Sequence, residues 1–110
     1  VSHEQFQSCI DECIRSMKAC NYCYDSCLSE EHSMNMKVCI RLTRECAQIC
    51  AFTAEALSLN ASYALDLCEI CAEVCESCAT ECVRHRNEHC QRCAEACFSC
   101  AQACKALIVH

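Results

Sequence analysis

A chain of 110 residues holding 18 cysteines, but no glycine, proline or tryptophan, has length for one domain and lacks the residues that normally open hairpins and bulges, which argues against a β-rich fold. Its formal charge of −6 comes without a basic stripe, which argues against nucleic acid or an anionic membrane as a partner. No apolar run approaches the ~18 residues needed to cross a bilayer.

Between the cysteines stand mainly alanine, leucine, glutamate, glutamine and arginine, all good helix formers, so the chain is expected to be all-α. The first helix, near 3–29, carries Cys9, Cys13, Cys20, Cys23 and Cys27 in steps of three and four, with Ser16 at the missing step. A second, near 34–58, carries Cys39, Cys46 and Cys50, with Thr43 in the gap and Thr53 continuing the line. The third, near 62–84, places Cys68, Cys71, Cys75, Cys78 and Cys82 at steps 3, 4, 3, 4, and the fourth, near 87–108, repeats those steps in Cys90, Cys93, Cys97, Cys100 and Cys104. This is the inward seam of a bundle helix, written in thiols where leucine ordinarily stands. Ser33, Asn60 or Ser62, and Asn87 are the candidate N-caps. The connections are short and polar, so consecutive helices must run antiparallel. The expected fold is one domain over 1–110, an up-down-up-down four-helix bundle with a cysteine-lined core and helices about 33–39 Å long. Charges such as Glu4, Asp11, Arg15, Glu73, Arg92 and Lys105 alternate in sign along the other faces and read as solvated surface.

So many cysteines in a short chain first bring a disulfide scaffold to mind. Spacing argues otherwise. Residues three or four apart on a helix have Cβ atoms about 5–6 Å apart, whereas a relaxed disulfide needs about 3.5–4.5 Å. Neighbours within one helix should stay unbridged, leaving only bonds between helices possible. A core of reduced thiols packs more loosely than one of leucines, so something else should occupy it. Soft thiolates in this number select Cu(I), Zn(II) or iron–sulfur clusters. If each thiolate bridges two monovalent ions and each ion takes two thiolates, metal and sulfur match and the core is neutral, as a dry interior requires. Cu(I) satisfies this, whereas Zn(II) held by four thiolates leaves a surplus of two negative charges per isolated site. CxxC occurs five times, at 20–23, 68–71, 75–78, 90–93 and 97–100, but without the compact cluster loop of ferredoxins, without a following histidine for haem attachment, and without a βαβ context for thioredoxin-like chemistry.

The repeats "CEICAEVCESCATEC" and "CQRCAEACFSCAQAC", with "CIRLTRECAQIC" and "CNYCYDSC", make the chain resemble the bacterial copper storage proteins of the cytosolic type over essentially its full length. The resemblance implies a four-helix bundle whose inward cysteines hold many Cu(I) ions, assembled as a homotetramer. Ser16 and Thr43 depart from the cysteine pattern, so metal sites beside them are expected to be altered or missing.

Extending the seams past their last cysteines gives the bundle two different ends. Where both termini lie, the seams run into Phe6, Leu57, Leu65 and Leu107, which reads as a plug; His3 and His110 lie there without an assigned role. The opposite end offers His32, Met34, Met36, His85 and His89. Imidazole and thioether are ligands a soft cation accepts, so His32, Met36, His85 and His89 join the cysteines as candidate ligands at a mouth. Unbridged thiols need a reducing compartment, and the opening "VSHEQFQSCI" shows no signal-peptide pattern, so the expected location is cytoplasmic. The reading is metal storage without catalysis, and no catalytic residue is assigned. A reversible thiol redox buffer and a zinc or cadmium sink of the metallothionein type remain as alternatives.

Overall fold

The cysteine seams are realised as four helices. In the computed structural model, which describes residues 3–108, α1 spans His3–Leu28, α2 Lys37–Ser58, α3 Ala64–Cys82 and α4 Glu88–Ile108, with a 3-10 turn at Ser33–Met36 leading into α2. Each helix buries its thiol stripe and turns its charges outward. Buried alanines, among them Ala47, Ala54, Ala72, Ala79, Ala94 and Ala101, flank the stripe. Contacts among the described residues join α1 to α2, α2 to α3, α3 to α4 and α4 to α1, with none across either diagonal. The helices therefore stand at the corners of a square, in a body measuring 45 × 21 × 18 Å.

Register fixes the directions. Between α1 and α4 the sulfur pairs are Cys9 with Cys104 at 3.6 Å, Cys13 with Cys100 at 3.7 Å, Cys20 with Cys97 at 3.5 Å and Cys23 with Cys90 at 3.8 Å. Between α2 and α3 they are Cys39 with Cys82 at 3.4 Å, Cys46 with Cys75 at 3.6 Å and Cys50 with Cys71 at 3.8 Å. One number rises as its partner's falls, so both pairs are antiparallel.

The helix ends depart from the sequence reading. Ser33 opens the 3-10 turn, and α2 begins only at Lys37, behind Met36. Tyr63 precedes α3, in place of Asn60 or Ser62, and neither Met36 nor Tyr63 caps through its side chain. Asn60 closes α2 instead. It sits at φ 55°, in the left-handed region, while its own N–H reaches the Leu57 carbonyl at 3.2 Å and the Ala61 N–H reaches back to Ala56 at 2.9 Å. This is a Schellman ending, and in a chain without glycine the asparagine takes the glycine position. Asn87 accepts the Cys90 and Gln91 N–H groups through its backbone carbonyl, but its side chain is engaged elsewhere.

Surface ion pairs such as Arg15 with Glu95 at 3.2 Å and Lys105 with Glu76 at 2.9 Å tie neighbouring helices together. Being exposed, each contributes at most about 1 kcal/mol.

Candidate metal centre

All eighteen cysteines are free and fully buried, so every seam position read as a ligand faces the interior. From the end holding the termini toward the mouth, the sulfurs gather into successive groups. These include Cys9, Cys68 and Cys104; then Cys13, Cys71, Cys100 and Cys104; then Cys50, Cys71, Cys75 and Cys100; then Cys20, Cys46, Cys78 and Cys97; and finally Cys23, Cys27, Cys39 and Cys90. Within each group the ligand atoms lie within 4.8 Å of one another. The first three groups share Cys104, Cys71 and Cys100, and Cys46 joins the fourth to them through Cys50 and Cys75. Cys82 joins the fourth to the fifth between Cys78 and Cys39, and Cys93 adds to the fourth through Cys20, so the sulfurs form one column rather than separate closed sites. Such a column can bridge soft ions continuously, whereas tetrahedral zinc sites are closed around single ions.

Three hydroxyls stand in the column and behave differently. Ser16 is fully buried, accepts the Cys50 thiol at 3.4 Å, donates to Cys97 Sγ at 3.6 Å and lies 3.9 Å from Cys46 Sγ. It fills its gap as a hydrogen-bonding neighbour of thiols from α2 and α4. Thr43 turns back on its own helix, donating to the Cys39 and Ile40 carbonyls at 2.9 and 3.0 Å. Thr53 is fully buried, and its hydroxyl has no hydrogen-bond partner among the described residues.

At the mouth, the candidate ligands divide. His89, in the first turn of α4, places Nδ1 3.3 Å from Cys23 Sγ and 3.5 Å from Cys90 Sγ. Its Nε2 donates to Glu30 Oε1 at 2.9 Å. His85 is mostly buried, with Nε2 2.7 Å from Glu81 Oε2 one helical turn back. Met36, the last residue of the 3-10 turn, is buried, while His32 is exposed. His32, Met36 and His85 line a common cleft of about 340 Å³ with Glu30, Glu31, Asn35 and Asn87. Met34 stands out in solvent, 72% exposed. Sequence reasoning missed Glu81 and Glu30. Glu81 was findable, four residues before His85 on one helix face, but Glu30 lies 59 residues from its partner.

The electrostatics follow from burial and from shared protons. Burial first, then the neighbouring Cys23 and Cys39 charges, push the Cys27 and Cys90 thiols up, so both are neutral without metal. Cys39 is raised to about 11, chiefly through its hydrogen bond with Cys23. That bond also leads the interactions that hold Cys23 down at about 6. The mouth group thus concentrates negative charge on Cys23, beside His89. Burial opposes the protonated form of His89, yet its bonds to Glu30 and Cys23 outweigh this and its pKa is raised. His89 in turn holds the Glu30 carboxyl below its usual range.

The opposite end is closed, with one correction. Leu57 and Leu107 are buried and Phe6 packs against the core, as expected. Leu65 is not part of the plug. Ala64, four residues before Cys68, takes the seam position, and Leu65 falls on the outer side, where it borders a surface depression with Phe6 and Asn60. His3 lines another depression with Phe6, Ile10 and Leu57, and His110 lies outside the described residues.

A family model described as copper storage protein matches residues 2–109. The uncharacterized cysteine-rich protein YhjQ of Bacillus subtilis is 46% identical over 87 residues, 78% of this chain and 81% of its own length. Among solved structures, the Cu(I)-bound copper storage protein BsCsp3 superposes with a TM-score of 0.92 at 44% identity, covering 96% of this chain and 99% of its own. A cytosolic copper storage protein from Streptomyces lividans, captured with five coppers, gives 0.92 at 43% identity, over 96% of this chain and 92% of its own.

Proposed function

The chain belongs to the copper storage protein family and sequesters Cu(I) through the cysteine thiolates of its core; from that premise we propose which residues hold the metal, how much they hold and which way it travels. The observation carrying the assignment is the continuous column of eighteen free, fully buried thiols. Cys9, Cys13, Cys20, Cys23, Cys27, Cys39, Cys46, Cys50, Cys68, Cys71, Cys75, Cys78, Cys82, Cys90, Cys93, Cys97, Cys100 and Cys104 are the storage ligands. Charge neutrality sets the ratio at about one Cu(I) per thiolate, so on the order of 18 ions per chain.

His89, already against Cys23 and Cys90, receives copper at the mouth. His32, Met36 and His85 in the adjoining cleft act as transient ligands on the way in. The leucine plug leaves the other end unused. No helix among the described residues is long and apolar enough to cross a membrane. A cytosolic relative and the reducing conditions that free thiols require support a cytoplasmic location.

Storage is a binding function, with release in place of turnover. Ile70, Phe52 and Phe98 remain about half exposed, and with the family resemblance they support a homo-oligomer, specifically a tetramer. Light scattering at micromolar concentration tests this, and a single 12.3 kDa species rejects it. Anaerobic loading with excess Cu(I) and, separately, Zn(II), followed by metal analysis, tests the function itself. Binding near one Cu(I) per cysteine supports storage, and Cu(I) saturation at only four or five ions overturns it.

A further inference from the structure

Two turns meet at the mouth, and a single carboxylate oxygen joins them. Glu30 lies in the connection after α1, whereas Asn87 immediately precedes α4 and His89 stands in its first turn. Glu30 Oε1 accepts the Asn87 Nδ2 hydrogen at 2.9 Å and the His89 Nε2 hydrogen at 2.9 Å. The His89 side chain is 12% exposed, and its other nitrogen faces two thiols from two helices. An ionised carboxylate can only accept, so the nitrogen facing it must carry a hydrogen. The remaining nitrogen, Nδ1, is then the one left to bind a metal.

We propose that Glu30 is the positioning residue of the copper mouth: by holding His89 Nε2–H it fixes the ring so that Nδ1, and not Nε2, meets incoming Cu(I) between Cys23 and Cys90. Asn87 holds Glu30 in place for this task, through the second bond to the same oxygen. Metal-binding histidines commonly need such an outer partner, and its loss typically costs about 10–100-fold in affinity or activity. No local sequence pattern marks the arrangement, because the chain between Glu30 and His89 includes all of α2 and α3.

The inference rests on the reading of His89 as the receiving ligand, so its test separates the two. Glu30→Ala, Glu30→Gln, His89→Ala and the parent are loaded with the first equivalents of Cu(I) from a chelator, with stopped-flow rates recorded. Nitrogen-15 spectra of the histidine rings report which nitrogen binds. Circular dichroism of each variant confirms the bundle. Expected are Nδ1 ligation in the parent, loss of that fixed ligation in Glu30→Ala with loading about 10-fold slower or more, and substantial recovery in Glu30→Gln, whose amide oxygen restores the acceptor. Nδ1 ligation with parental loading in Glu30→Ala overturns the proposal, as does a Glu30→Gln variant no better than Glu30→Ala. Parental loading by His89→Ala overturns the receiving role of His89 and the positioning role with it. Slow His89→Ala beside normal Glu30→Ala removes Glu30 alone.

Discussion

Thr53→Val should make the metal-free protein more stable. The Thr53 side chain is fully buried, and its hydroxyl has no hydrogen-bond partner among the described residues. A buried polar group left unsatisfied costs about 1–3 kcal/mol, and valine keeps the branched shape without the hydroxyl. The expected gain is therefore about 1–3 kcal/mol, and for a domain near this size each kcal/mol raises Tm by roughly 4–8 °C. Thr43 supplies the control on the same helix and seam. Its hydroxyl already donates to the Cys39 and Ile40 carbonyls, so Thr43→Val should be neutral or lose up to about 1.5 kcal/mol. Thermal melts of both variants and the parent, anaerobic, reduced and at one protein concentration, make the comparison. A Thr53→Val protein melting at or below the parent would refute the reasoning.

Replacing Cys75 and Cys97 together by serine should lower Cu(I) capacity by a small number of ions and leave the helical spectrum intact, which metal analysis and circular dichroism check. Ser16→Cys should raise capacity by about one ion in the same titration, because its oxygen already sits among Cys46, Cys50 and Cys97. The reduced, metal-free chain should give a helical spectrum, since neutral thiols bury as small hydrophobes; a coil that folds only with copper would show that the bundle is not preformed. Met36→Ala with His85→Ala and His89→Ala should slow loading and chelator-driven removal at nearly full capacity. Leu57→Ala with Leu107→Ala should cost roughly 2–5 kcal/mol per residue in stability while barely changing uptake through the mouth, and the reverse kinetic result would invert the assigned polarity.

The thiol column was legible because a three-four spacing has few other readings. It places each cysteine on one helical stripe, and short connections leave only antiparallel neighbours. Helix ends were less legible, because capping residues serve more than one purpose. Asn60 reads as an N-cap for α3 by type, yet the missing glycine recruits it to end α2. Asn87 likewise spends its side chain on Glu30. The Leu65 expectation broke the alternation: the step of three from Cys68 to Cys71 calls for a step of four before it, and that step lands on Ala64, which is the buried residue. At the mouth, the histidines were visible as a cluster. Their unequal roles were not, since contact with Cys23 depends on how α1 and α4 pair.

The thiol column is tight. Many neighbouring sulfurs lie 3.4–3.9 Å apart, near contact. An ion held in line between two sulfurs, with a bond of about 2.3 Å as for zinc and thiolate, needs them about 4.6 Å apart. Filling the column therefore asks the closest thiols to turn apart as well as to bind. Among the described residues no helix touches its diagonal neighbour, so the middle of the square is left to side chains, which can turn about their own bonds. Room for the ions is thus a matter of side-chain rotation inside the square of helices, and the thiols that turn least freely help set how readily the last ions enter.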